Sequence, residues 1–301
     1  MNKEFKGAFL SVFGGICWGL SGSVGQYLFD VQGMDSRWLV PIRLGCAGII
    51  MLIYCFFRYG KKVFDPWRNR HDAFFTLIYC IGGIACCQFL YFLCIQLSTA
   101  GAATILQDLS PIFILAVTCL LEKRKPERNE IGAIILAMIG VFLITTHGKP
   151  DSGAISPAAL IAGVACAFCV MIYNMNFGHI LDRYPVVLLQ AWAFFLGGIL
   201  FALVFHSWTI HYVPNIYGIL GIIFVVVVGN ILAFTSYITG VHLVGGNKAI
   251  LYGFSEPLTA AVVTFVFMKS PFTVFDAIGF ACVFAMLVLI SIGNEKKAKK
   301  I

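Results

Sequence analysis

Apolar residues run along this chain in ten long blocks. They lie near 7–29, 36–57, 73–96, 100–121, 130–147, 156–178, 185–205, 215–240, 246–268 and 273–293, separated by short stretches of charge, Gly and Pro. Each block comes close to the roughly 20 residues that an α-helix needs to cross the hydrocarbon of a bilayer. The pattern predicts an all-α integral membrane protein with ten transmembrane helices. Lys3 and Lys6 flank the first block as they would a signal peptide. Its length and the nine blocks behind it make it a retained span in our reading.

Composition removes the soluble alternative. Sixty per cent of the 301 residues are apolar and 12% are charged, against about half and a quarter in a soluble domain. A chain of this size cannot hide so much apolar surface from water, whereas lipid solvates it. The net charge of +7 raises the question of an anionic partner such as nucleic acid, and its placement answers it. The basic residues cluster between blocks: Arg58, Lys61, Lys62, Arg68 and Arg70; Lys123, Arg124, Lys125 and Arg128; Lys296, Lys297, Lys299 and Lys300. With a cytoplasmic N-terminus, seventeen Lys and Arg fall on inner segments, and only Arg37, Lys149 and Lys269 on outer ones. Cytoplasmic loops carry such an excess, so we expect a multi-pass plasma-membrane protein with both termini inside and no nucleic-acid partner. The eleven cysteines sit mostly inside the apolar blocks and read as packing residues. His147, His206 and His211 fall at outer helix ends and receive no role.

The chain also repeats itself. A shift of 146 residues sets Tyr91 on Tyr237, Leu97 on Leu243, Ala103 on Ala249 and Pro111 on Pro257. Five spans per half is an odd number, so the second copy must lie upside down relative to the first. The charges agree: the loop after span 2 is basic and its counterpart after span 7 is not. We read 5–147 and 155–293 as two inverted five-helix repeats, followed by a basic cytoplasmic tail, 294–301. Two such halves give near-equivalent states open to either side of the membrane, which suits a transporter.

Ionisable residues inside a bilayer are expensive and therefore informative. Thr104, Gln107, Asp108 and Pro111 of span 4 share one helical face, and Lys248, Tyr252, Glu256 and Thr259 of span 9 are spaced almost identically. Asp108 can bind a proton or a cationic substrate group, or it can brace the helices against Lys248 or Arg43. Glu256 has a comparable choice, between substrate and the backbone groups freed by Pro257. Arg43 can meet a substrate carboxylate or pair internally. Tyr and Trp, apolar in body and polar at the tip, suit an amphipathic ligand. The candidate binding set is Trp18, Tyr91, Gln107, Asp108, Tyr173, Asn230, Tyr237, Tyr252 and Glu256, with Gln88 and Asn174 nearby. Gly14, Gly15, Gly22 and Gly25 form a stripe on span 1 that permits close packing or sliding. No P-loop, nucleophile elbow or H-E-x-x-H pattern occurs, and no cofactor or metal is implied.

Several of these residues resemble a known group. The Trp18-Gly19 step, Arg43, the Ser110-Pro111 turn, Glu122 and Ser255-Glu256-Pro257 resemble the drug/metabolite transporter superfamily, and within it the EamA-type branch, over essentially the whole chain. The resemblance implies a carrier with a central cavity lined by spans 1, 3, 4, 6, 8 and 9, with spans 5 and 10 peripheral. It also implies export or exchange of small metabolites, often amino acids. One departure is Met268, which stands at the offset position of Glu122. The expected function is a secondary, non-ATP transporter of an amino acid or similar amphipathic solute, working by alternating access. Its partners are the lipid bilayer, the small-molecule substrate and, through the carboxylates, a coupling proton or ion; a monomer suffices. The competing reading is a membrane-embedded enzyme acting on a lipid-type substrate. It needs an acid/base pair or metal cluster at the membrane surface, whereas Asp108 and Glu256 read as mid-span.

Overall fold

A computed structural model describes residues 3–146, 155–175, 177–268 and 273–298. Lys149, Lys269 and the lysine side chains of the tail, all part of the charge reading above, lie outside the described residues, as does His147. The described chain is helical, as the apolar blocks predict. In order come α1 (Lys3–Asp30), α2 (Ser36–Tyr59), α3 (Arg70–Leu97) and α4 (Ala100–Leu121). Next are α5 (Arg128–Thr146), α6 (Pro157–Asn174), α7 (Val186–Val204) and α8 (Ile216–Val244). The last two are α9, made of Gly246–Gly253 and Ser255–Met268, and α10 (Val274–Ala298).

Among the described residues, eight of these runs are long and apolar enough to cross a membrane; α5 and α9 are the two expected blocks outside that set. α9 is divided at Phe254 and carries a shorter apolar run, Leu251–Phe267. Large apolar side chains such as Phe57, Leu120, Met138, Ile161, Leu203 and Phe267 point outward. Such a surface is stable against lipid and not against water.

Irregular backbone recurs at a fixed offset. π-Helical turns occupy Ile78–Ala85 in α3 and Val225–Leu232 in α8, 147 positions apart. α4 breaks at Asp108 and α9 at Phe254, each three residues before a proline. Pro111 and Pro257 have no N–H to offer the carbonyl one turn back. The chain tightens there instead: Leu109 N bonds Leu106 O at 3.3 Å, and Phe254 N bonds Leu251 O at 3.3 Å.

Packing follows the same pattern. α2 lies along α7, α5 along α10, α1 against α8 and α9, and α6 against α3 and α4. Exchanging each helix of the first half for its counterpart in the second leaves this set of contacts unchanged. The first glycine stripe serves it: Gly14 meets Tyr237 of α8, Gly15 and Gly19 meet α9, and Gly22 and Gly25 meet Tyr91 and Phe92 of α3. α5 and α10 share their own apolar cluster of Ala133, Ala137, Phe280, Val283 and Met286.

The tightest seams need a missing side chain. A Cβ on Gly198 of α7 would stand 2.6 Å from the Cα of Gly45 on α2, and one on Gly140 would stand 2.9 Å from the carbonyl of Gly279. In both cases the obstacle is backbone, which cannot swing aside. Overpacking a core of this kind costs about 1–3 kcal/mol. Gly198→Leu and Gly140→Leu should therefore lower the melting temperature of the detergent-purified protein clearly, while Gly82→Ala, where a Cβ meets nothing within 4 Å, should leave it in place. Equal melting of all three would contradict these helix seams.

Candidate functional site

The broken and π-helical segments of α3, α4, α8 and α9 surround an internal cavity of about 390 Å³. It has room for a small metabolite. α4 supplies Gln107, Asp108, Ser110 and Pro111; α9 supplies Gly253 and Glu256; α8 supplies Gly229, Phe234 and Tyr237. From α1 come Trp18 and Ser21, from α3 Tyr79, Cys87, Gln88 and Tyr91, and from α6 Tyr173 and Asn174. The two proline breaks thus place a carboxylate-bearing turn from each half on one wall. Arg43 of α2, Val186 of α7 and Leu287 of α10 also reach the cavity, so the lining extends beyond the six spans that the resemblance implied.

Of the candidate set, Trp18, Tyr91, Gln107, Asp108, Tyr173, Tyr237 and Glu256 come together here, whereas Asn230 and Tyr252 are not among the lining residues. Asn230 sits in the π-turn of α8, 1% exposed, with neither amide atom hydrogen-bonded. Tyr252 lies before the break of α9. Thr104 is also away from the cavity, its hydroxyl donating to the carbonyls of Ala100 and Gly101 in its own helix at 3.1 and 2.9 Å. Lys248 pairs with Glu4 at the start of α1, Nζ to Oε1 2.5 Å.

The charged groups on the wall are not paired with one another. Among the described residues Asp108 has no ion-pair partner, and its Oδ2 is buried with no hydrogen-bond partner. The bracing pair with Lys248 or Arg43 is thus absent. Glu256 lies beside the Tyr91 hydroxyl and makes no hydrogen bond to the backbone of its own kink. Asp108, Glu256 and Tyr237 are near enough to feel one another electrostatically. Arg43 donates from Nη2 to Gln88 Oε1, and its guanidinium carbon stands 3.7 Å above the centre of the Phe92 ring. Beside the acids the wall is aromatic: the Trp18 and Tyr237 rings are 4.9 Å apart, and Phe234 meets Trp18 edge-on at 5.5 Å.

Two thiols complete the wall. Cys87 and Cys166 are in contact across α3 and α6, Sγ to Sγ 3.6 Å, and the Gln107 amide oxygen receives the Cys166 thiol at 3.5 Å. Reading the cysteines as packing residues passes over this pair, which lies between two helices and is not signalled by any spacing along the chain.

The cavity runs towards exposed Asn174 and His242, on the face where Arg183 and Tyr184 bind Asp72, Tyr184 Oη to Asp72 Oδ2 2.7 Å. Glu122 ends α4 outside this region and meets Arg124 at 2.6 Å. Arg124 also forks onto Glu130 at 2.8 and 3.0 Å. Glu130, then Glu122, hold this guanidinium even more firmly protonated than usual. At the other end, Ala100 N donates to the buried Gln26 Oε1 at 2.9 Å, sealing α1 on the start of α4.

The model of the EamA-like transporter family matches residues 5–146 and again 157–292. The chain belongs to the EamA-like transporter family. It is therefore a membrane transporter and not an enzyme. This EamA-like transporter is 32% identical, over 99% of both chains, to an uncharacterized inner membrane transporter, YicL, of Salmonella typhimurium. It is 26% identical to an uncharacterized transporter, YetK, of Bacillus subtilis over 78% of this chain and 71% of that one. A solved crystal structure of a protein superposes with a TM-score of 0.64 at 16% identity, covering 97% of this chain and 98% of that chain. This last likeness speaks to the fold alone.

The sulfur contact is directly testable. Copper-phenanthroline oxidation of the purified transporter should yield a Cys87–Cys166 disulfide as the main cross-linked peptide in mass spectrometry. Its absence under conditions that oxidise other cysteines would contradict the side-by-side placement of α3 and α6.

Proposed function

We propose that this chain is a secondary transporter, working without ATP, that exports or exchanges a small amphipathic metabolite of the amino-acid type by alternating access. One observation carries the reading: two unpaired carboxylates, Asp108 and Glu256, face one cavity from proline breaks in opposite halves of the chain. A membrane protein keeps such groups inside only where they meet a partner, a proton or water. An ammonium group satisfies them while the Trp18 and Tyr237 rings receive an apolar side chain. The same carboxylates offer a place for a coupling proton.

The fixed-offset breaks and the exchangeable packing support ten spans arranged as two inverted repeats. The excess of Lys and Arg on one side supports cytoplasmic termini in an inner, plasma-type membrane, the location named for the Salmonella relative. With that orientation the cavity reaches the cytoplasmic face through Asn174 and His242, and the seal at Gln26 closes the outer side. Both halves are in one chain, so a monomer is a complete carrier.

Counterflow of radiolabelled amino acids and amines in proteoliposomes tests the function. Asp108→Asn keeps the side-chain shape and should reduce uptake at least tenfold in protein that still melts like wild type; unchanged uptake would return Asp108 to a bracing role. Topology is tested separately. Alkaline phosphatase fused after His211 should be active and the same enzyme fused after Lys125 inactive, and the reverse pattern would overturn the orientation.

A further inference from the structure

Arg43 is the one wall residue whose chemistry the carboxylates do not explain. It is 2% exposed, yet among the described residues it has no ion-pair partner. Its Nη2 is held by Gln88 Oε1, while Nε and Nη1 have no hydrogen-bond acceptor at all. Phe92 covers one face of the guanidinium at 3.7 Å, a favourable cation–π position that fixes the plane of the group without accepting its N–H bonds. Guanidinium cannot escape its charge by losing a proton, so a buried one needs an anion or several acceptors. The acids on the same wall do not fill that need, since Asp108 forms no ion pair either.

We infer that Arg43 is the anchor for the carboxylate of the transported solute, oriented by Gln88 and Phe92, with the solute's ammonium end towards Asp108 and Glu256. This rests on the transport reading above and goes further: it makes a carboxylate obligatory in the substrate and assigns the specificity to a residue of α2. A cation and two carboxylates lining one cavity, not paired with one another, match the charges of a zwitterion. The guanidinium plane matches the planar carboxylate better than a lysine would. A simple amine meets the acids and leaves Arg43 unsatisfied, so the site should reject it.

The test uses the full-length protein in detergent and in proteoliposomes, with matched probes: phenylalanine and leucine, their amines phenethylamine and isoamylamine, and the acids 3-phenylpropanoate and 4-methylpentanoate. Ligand-induced rises in melting temperature report binding, and counterflow reports transport. Wild type should bind an amino acid at least about 30-fold more tightly than its amine, the range expected for hydrogen bonds to a charged group. Arg43→Gln should erase that preference, Arg43→Lys should restore part of it, and Gln88→Leu, which keeps the charge but frees it from its holder, should weaken amino-acid binding with little effect on amines. Should Arg43→Gln fail to fold, Arg43→Lys and Gln88→Leu decide by the same ratio. Equal binding of amine and amino acid by wild type, or an unchanged ratio in the variants, overturns the assignment while leaving transport standing. Arg43-dependent binding without counterflow overturns the transport reading and leaves the assignment. If wild type binds none of the probes, both fall.

Discussion

Hydrocarbon offers no hydrogen bonds, and most of this structure follows from that lack. Backbone groups must be satisfied within each helix, and polar side chains must face inward, wherever lipid surrounds the chain. A helix break or an ionisable residue is then tolerable only beside protein or a wet cavity. In this transporter the two kinds of exception coincide. Pro111 and Pro257 open α4 and α9 at Asp108 and Phe254, and the carboxylates of Asp108 and Glu256 stand at those breaks, on the wall of one cavity. The π-turns of α3 and α8 face the same space with Tyr79 and Gly229.

Much of the fold was legible because hydropathy is a bulk property and tolerates local irregularity. The apolar blocks coincide with helices, and among the described residues eight of them are long and apolar enough for a full span. The cavity lining was legible where helices are regular: Trp18 on α1 and Tyr173 on α6 both reach it. It was not where the backbone departs from that regularity. Asn230 lies within the π-turn of α8, whose wider winding turns Gly229 rather than the amide into the cavity. Tyr252 and Thr104 stand on the far side of the breaks from Glu256 and Pro111, so the straight polar stripes drawn through them bend away at Phe254 and Asp108. Arg43 reads from sequence as either a substrate contact or an internal pair, because a lone guanidinium in a span is costly; pairing is a fact of three dimensions that no spacing along one helix reveals.

The repeat has a physical consequence beyond symmetry. The π-turns, the proline breaks and the helix pairs all recur at nearly one offset, yet the chemistry at the recurring positions differs. Asp108 aligns with Phe254, and Ser110 with Glu256. The halves therefore share the broken-helix geometry and divide the charged groups, one carboxylate on each broken helix, displaced by two residues. The cavity is thus lined by polar groups of both halves. The guanidinium comes from α2, which packs along α7 of the other half through seams too narrow for a side chain at Gly198.

Unpaired charges in the same cavity also bear on why the protein does not simply lock itself. An internal Arg43–Asp108 pair would satisfy both groups and tie α2 to α4, and a buried pair of this kind resists separation because breaking it strands two charges. Here the cation is held by a neutral amide and an aromatic face, and among the described residues neither acid has a cationic partner. Neutral partners orient a charge without neutralising it. The hydrogen-bonding capacity of Arg43 and Asp108 is thereby left unfilled on the cavity lining.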